Sequence, residues 1–316
     1  MNRILILVLC IAILQGEAMS QNEDNSQITG KMLVVLGVAQ DAGYPQAGCQ
    51  KSCCLEYWEG RENKRLPTSL AIVDVVKNKF WLFEASPEIG EQLNRVGDLL
   101  GGDNVVNAIE GIFLTHAHIG HYTGLMHFGR EVMGTDKIPV YCMPRMGEFL
   151  KSNGPWSQLV KLENIVLNEL KDGTTIELDK GFSVTPFTVP HRDEFSETVG
   201  YKISGPNKTV LFIPDIDKWS KWNKDLIAEI QSVDMAFIDG TFYENGEIPG
   251  RDMSEIPHPF IEESMEHLQG IPDSEKAKVH FIHFNHTNPV LRDTPQRQEI
   301  IKNGFKVAQE GSVLGL

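Results

Sequence analysis

Positive charge is in short supply in this chain: 29 lysines and arginines against 43 acidic residues leave a formal net charge of -14. Proteins hold a phosphate backbone through Lys and Arg, so a chain this acidic offers no basic track for a nucleic acid. The expected partner is a small-molecule substrate. Long hydrophobic runs are also missing. The stretch Ile4–Leu14 covers about eleven residues, whereas a helix that spans a bilayer needs about twenty. No internal repeat and no long low-complexity tract is present, which excludes solenoid and propeller arrays. At 41% hydrophobic residues the composition is that of a globular protein.

The apolar run Ile4–Leu14 follows Arg3 and precedes Ala18-Met19-Ser20. A basic start, a short apolar core and small residues at the -3 and -1 positions fit a secretory signal cleaved after Ser20. A secreted or periplasmic protein is therefore expected, with no stable membrane insertion once residues 1–20 are removed. The polar residues 21–30 read as a loose N-terminus. Residues 31–316 are enough for one domain with a large core.

The densest chemistry lies in Thr115-His116-Ala117-His118-Ile119-Gly120-His121, directly after the apolar run Ile112-Phe113-Leu114. A strand ending at Thr115 sends alternate side chains to one side, so His116 and His118 converge, and a tight turn brings His121 round to them. One such His is ordinarily a hydrogen-bonded core or surface residue. Three within six residues, in a side chain that binds metals as neutral imidazole, point to a cation. His127, on the following segment, has no such neighbours.

These residues resemble the metallo-β-lactamase superfamily, whose motif is His-x-His-x-Asp-His at a strand end. The nearest branch contains pyrroloquinoline-quinone biosynthesis protein B and the phosphodiesterase of the carbon-phosphorus lyase pathway. Leu36-Gly37 with Gly43-Tyr44-Pro45-Gln46, the cysteines that follow, the Thr-His-Ala-His block, and Phe281 to Pro289 carry the resemblance. It implies an α/β fold, the αββα sandwich of two mixed sheets with helices on both outer faces. It also implies that His116, His118 and His191 hold a first metal, that Asp215 bridges two metals, and that His121 and His283 serve the second. Where the family has the motif Asp, this chain has Gly120. That leaves the second site short of a donor, so donor count alone allows one ion or two. Asp41 or Asp217 could supply the missing carboxylate. If the chain is a weakened hydrolase, Gly120→Asp is expected to gain both an ion and activity.

The implied cation is zinc, with manganese or iron as alternatives. A bound divalent cation lowers the pKa of water from about 16 to about 7 and polarises the electrophile. The expected reaction is attack by metal-bound hydroxide on an ester, phosphodiester or lactam-like bond, with Asp215 orienting the nucleophile. By resemblance to the phosphodiesterase, which has a non-ligand His in a similar stretch, His258 is the candidate proton donor to the leaving group, its alternative being a residue of a Pro-flanked loop. Two other functions remain open: an iron-dependent oxidative enzyme of the pyrroloquinoline-quinone biosynthesis protein B type, and a non-catalytic metal-binding module.

Cys49, Cys53 and Cys54 form a second constellation. The resemblance to the phosphodiesterase implies that His286, three residues after His283, joins them to fill the four positions of a structural zinc. The competing account is a disulfide from Cys49 to Cys142 or Cys53, which an oxidising compartment permits.

The pattern along the chain gives strands over Met32–Ala39, Ser69–Val76, Lys79–Glu84, Gly111–Thr115, Pro139–Cys142, Leu162–Leu167, Thr174–Leu178, Phe182–Val189, Thr198–Ile203, Thr209–Ile213, Met235–Asp239 and Val279–Phe284. Helices are expected over Pro87–Leu100, Tyr122–Val132, Arg145–Ser152, Leu226–Gln231, Pro259–Leu268 and Pro295–Lys302. Every proposed ligand falls at a strand end or in the loop after it.

Overall fold

The computed structural model describes residues 30–102 and 104–316. The signal segment expected at residues 1–20 lies outside the described residues. Two seven-stranded sheets account for the architecture. The first is built from β1 (Lys31–Gly37), β2 (Ser69–Asp74), β3 (Lys79–Phe83), β4 (Ile109–Phe113), β5 (Ile138–Cys142) and β6 (Ile165–Glu169). The second contains β7 (Ile176–Asp179), β8 (Phe182–Thr188), β9 (Val199–Ser204), β10 (Thr209–Ile213), β11 (Met235–Asp239), β12 (Val279–Ile282) and β13 (Lys306–Val307). The C-terminal β14 (Val313–Gly315) returns to pair antiparallel with β1.

The burial pattern explains the layering. Every residue of β1 is buried, and so is every residue of β2. A strand with both faces covered reads as a continuous apolar run rather than an alternation. Successive side chains still point to opposite faces. Leu33 and Val35 join the core between the sheets, whereas Met32, Val34 and Leu36 join an outer cluster with Leu93 and Val96 of the helix Ile89–Leu100. Aromatic rings bridge the two sheets: Phe83 lies 6.4 Å from Phe212, Phe113 lies 5.6 Å from Tyr201, and Trp81 lies 4.6 Å from Phe182. The helices Leu226–Gln231, Ile261–His267 and Pro295–Lys302 bring Leu226, Ile230, Ile261 and Ile300 to the second sheet's side of that core.

Strand direction fixes where chemistry can occur. β3, β4, β5 and β6 are mutually parallel, and β1 runs with them because two antiparallel steps separate it from β3. In the other sheet β10, β11 and β12 are parallel, and β8 shares their direction through β9. The loops after the C-terminal ends of β1, β3, β4, β8, β10, β11 and β12 carry every candidate active-site group except His258. Open α/β sheets offer ligand crevices at such ends.

Several expected elements differ. The helix expected over Tyr122–Val132 is a single α turn, Ile119–Tyr122, followed by a 3-10 turn, Thr123–Phe128. Gly124 packs so closely on the chain at Ser86 that a Cβ would lie 2.0 Å from its carbonyl oxygen, which holds this segment in a tight turn. The strand expected from Leu162 begins at Ile165, because Leu162 ends the helix Trp156–Lys161. That helix and Ser52–Trp58 had no counterpart in the sequence reading.

The motif Leu36-Gly37 acquires a packing reason. A Cβ at Gly37 would stand 1.9 Å from the carbonyl oxygen of Pro67, and Val38 and Ala39 both donate to Leu66 O at 2.9 Å just beyond. Gly37→Ala must push two backbones apart. It is expected to cost at least about 1 kcal/mol, read as a lower urea midpoint; an unchanged midpoint would refute the packing argument.

Candidate metal centre

The candidate groups meet at the edge where those strands end. His116, His118 and His191 bring their ligating nitrogens within 4.8 Å of one another, with His116 Nε2 and His118 Nδ1 2.8 Å apart. Asp41, His121 and His283 form a second trio on the same criterion. Between the two stands Asp215, 2% exposed. Its Oδ1 lies 3.8 Å from His191 Nε2, and its Oδ2 lies 3.0 Å from His121 Nε2 and 3.1 Å from His283 Nε2. His116 Nε2 is 3.8 Å from the same Oδ2. A carboxylate so placed faces both trios, with Oδ2 toward His116, His121 and His283 and Oδ1 toward His191.

The test for a cation is what these atoms do without one. Both ring nitrogens of His121 and of His191, Nε2 of His283 and Oδ2 of Asp215 are buried with no hydrogen-bond partner. His121 Nε2 and His283 Nε2 come within 3.0 and 3.1 Å of Asp215 Oδ2 without forming a hydrogen bond, and His191 Nε2 stops 3.8 Å from Oδ1. A buried polar atom left unpaired costs on the order of 1–3 kcal/mol, so four residues aimed at common points are an expensive arrangement unless a cation accepts the lone pairs. The donor set of imidazoles with one carboxylate suits zinc and its first-row neighbours.

Protonation agrees with this. Burial drives His116 well below the usual imidazole range, and drives His191 and His283 down to about 3. All three are thus neutral, the form that ligates. At His121 burial acts in the same sense, but the carboxylates of Glu84 and Asp215 outweigh it and raise the ring well above its ordinary value. A cation between the rings would answer the same negative field.

A second layer fixes the tautomers. Thr115 Oγ1 donates to Glu84 Oε1 at 2.5 Å, so His116 Nδ1, 2.9 Å away, donates to Thr115 and keeps the Nε2 lone pair free. Thr241 Oγ1 donates to Asp239 Oδ1 at 2.7 Å, and His283 Nδ1, 2.9 Å off, donates to Thr241 in the same way. Glu84 Oε1 also faces His121 Nδ1 at 3.2 Å. Such carboxylate and hydroxyl partners orient ligating imidazoles and raise their basicity. Glu84, Thr115 and Thr241 had not been singled out from the sequence. The available signal was an acidic residue closing the apolar run Phe80-Trp81-Leu82-Phe83, and Glu84 is fully buried.

His258 is 2% exposed, with its ring centre 5.3 Å from that of His191. Its Nδ1 lies 2.7 Å from Asp239 Oδ2 and 3.5 Å from Asp215 Oδ1. Burial alone would favour the neutral ring, yet Asp239 and Asp215 hold His258 above its usual value. Asp239 is both a loop anchor and a partner of His258, since its carboxylate also accepts from Ile216 N and Thr241 N. Trp222 packs in the core against Phe187 and donates to Thr188 O.

A model described as the beta-lactamase superfamily domain matches residues 81–284. The chain belongs to that superfamily. Coenzyme PQQ synthesis protein B of Methylorubrum extorquens (strain PA1) is 27% identical over 309 residues, covering 90% of this chain and 99% of its own. The crystal structure of zinc-bound PqqB from Methylobacterium extorquens superposes with a TM-score of 0.76 at 25% identity, covering 90% of this chain and all of the other. A diphosphatase of the PhnP family shares the fold at TM-score 0.62 and 20% identity, covering 90% and 96%. The sheet pair described above is the metallo-β-lactamase fold.

Cys49, Cys53, Cys54 and His286 also gather, their ligand atoms within 4.8 Å. Cys49 and Cys53 Sγ are 3.6 Å apart, and all four described cysteines, Cys142 included, are free. The disulfides considered as alternatives are therefore absent among the described residues. The helix Ser52–Trp58 carries Cys53 and Cys54 in its first turn, and His286 Nδ1 meets Asn285 Oδ1 at 3.0 Å, leaving Nε2 for the thiols. Burial pushes the Cys54 thiol up to about 12, so a cation must displace its proton. If zinc occupies this cluster, a strong chelator is expected to expose three newly reactive thiols while buried Cys142 stays silent. A thiol count unaffected by chelation would refute zinc here.

Proposed function

We propose that this chain is a metal-dependent hydrolase that cleaves an ester, phosphodiester or lactam-like bond of a small substrate. One observation carries the reading: buried imidazole nitrogens and a carboxylate oxygen without partners, aimed from two sides at Asp215. A bound divalent cation supplies an acidified water and a Lewis acid. The chain's own residues do the rest. Asp215, facing both trios, orients the nucleophile. His258, held through Nδ1 by Asp239, has Nε2 left to give a proton to the leaving group. The net charge of -14 supports a small substrate over a nucleic acid. Export belongs to the same proposal and rests on the Arg3, Ile4–Leu14 and Ala18–Ser20 pattern.

A second reading is favoured by the likeness to proteins named for coenzyme PQQ synthesis. It is an oxidative enzyme that uses iron and dioxygen. Loading the protein with zinc, manganese or iron and assaying phosphodiester, ester and lactam panels beside oxygen uptake separates the two. The hydrolase reading expects turnover that a chelator abolishes and that His258→Ala lowers by about 10²- to 10⁴-fold with metal content unchanged. Oxygen uptake by the iron form with no hydrolysis supports the second reading instead. Hydrolysis undiminished in His258→Ala removes that residue from the mechanism.

A further inference from the structure

We propose that Asp41 is a ligand of the second cation, taking over from the β1 loop the carboxylate that the motif lacks at Gly120. This rests on the metal-dependent reading above. Asp41 Oδ1 lies 3.7 Å from His121 Nε2 and accepts the Gly120 backbone N–H at 3.2 Å. Asp41, His121 and His283 offer three donor atoms within 4.8 Å, and the Nε2 atoms of both imidazoles are buried and unpartnered. With the Oδ2 of Asp215, which faces the same two imidazoles, the set reaches the four donors that a tetrahedral site needs.

The missing side chain and the new carboxylate are one feature. A Cβ at Gly120 would lie 2.4 Å from Asp41 Cα, 2.7 Å from its Oδ1 and 3.0 Å from its N. The volume that a motif Asp would fill is occupied by Asp41. The loop is pinned there by two backbone bonds: Phe284 N donates to Val38 O and Gln40 N to Phe284 O, both at 2.8 Å. Asp41 is thereby locked to the residue that follows His283. Asp217, the other candidate, is committed elsewhere, with Lys221 Nζ 2.7 Å from Oδ2 and Lys218 N 2.7 Å from Oδ1.

It follows that Gly120→Asp does not restore a weakened site, contrary to the expectation drawn from the motif. The new Cβ would displace the Asp41 backbone and lose an ion.

Manganese is the probe, because a hard cation leaves the thiolate cluster aside. Counting Mn2+ on the full chain by electron paramagnetic resonance is expected to find two ions close enough to couple. Asp41→Asn keeps the oxygen that accepts from Gly120 N–H and tolerates the positive φ of 27° at this position. It is expected to keep the ion of His116, His118 and His191, weaken the second by at least about tenfold, and abolish the coupling. Asp41→Ser provides the same count should Asp41→Asn melt early. Asp217→Asn is expected to keep both ions. Two unweakened ions in Asp41→Asn, a single ion in the unaltered chain, or an ion gained by Gly120→Asp would each overturn the proposal. Failure of the hydrolase reading looks different: Mn2+ stoichiometry falls in Asp41→Asn as stated while no ester or phosphodiester is turned over.

Discussion

A single buried carboxylate organises this molecule's chemistry. Asp215 is shut away from water at the end of β10, where an unpaired charge would cost several kcal/mol. Burial by itself would raise its pKa, but the imidazoles around it, His283 and His121 foremost, keep it well below the carboxylate range. Five histidines from four separate stretches of chain, His116 and His121, His191, His258, and His283, stand within 4 Å of its oxygens. Only a scaffold that ends many strands at one edge can deliver them together. The parallel runs in both sheets do that, and the aromatic bridges between the sheets keep the two sets of strand ends in register.

The acids behind the imidazoles turn a cluster into a directed site. Glu84 and Asp239 are buried completely, and each acts through a threonine hydroxyl that must donate to the acid and so must accept from a ring. Thr115 and Thr241 therefore decide which nitrogen of His116 and His283 bears the hydrogen. The two sheets use the same device at strand ends: Glu84 and Thr115 stand one and two residues beyond β3 and β4, while Asp239 closes β11 and Thr241 stands two residues beyond it. The arrangement makes each ligating lone pair a property of the fold rather than of local chance.

Much of this was legible in the sequence because metal chemistry is written in residue types and short spacings. The His116, His118, His121 block, the later His191, Asp215 and His283, and the cysteine group with His286 come together in space as clusters. The strands were legible too, since runs such as Met32–Leu36 are apolar throughout. What was not legible depends on contacts between distant segments. Glu84 reads as the polar end of a strand until Thr115 and His121 are seen beside it. The segment after His121 has helical spacing, but its tight turns come from the approach of Gly124 to Ser86, 38 residues earlier. Asp41 could be named as a candidate, yet its choice over Asp217 required the distance to Gly120.

Backbone conformation adds an independent mark of the same region. Six non-glycine residues have positive φ among the described residues, and three of them are Asp41, Glu84 and His283. A non-glycine residue in this region costs of order 1–3 kcal/mol and persists only where its surroundings enforce it. Here the enforcement can be named. Glu84 N donates to Phe113 O at 2.9 Å, tying β3 to β4, while Phe284 bonds to both Val38 and Gln40 and so sets the turns at His283 and Asp41 together. The cysteine cluster extends that tie. His286 stands three residues after His283, and Arg292 Nη1 donates to Cys53 O at 2.7 Å, so the segment after β12 is fastened to the β1 loop on both sides of the strained turn. An ion held by Cys49, Cys53, Cys54 and His286 would therefore stiffen the same two loops that present Asp41 and His283, which couples the structural cluster to the geometry of the second trio without any shared ligand.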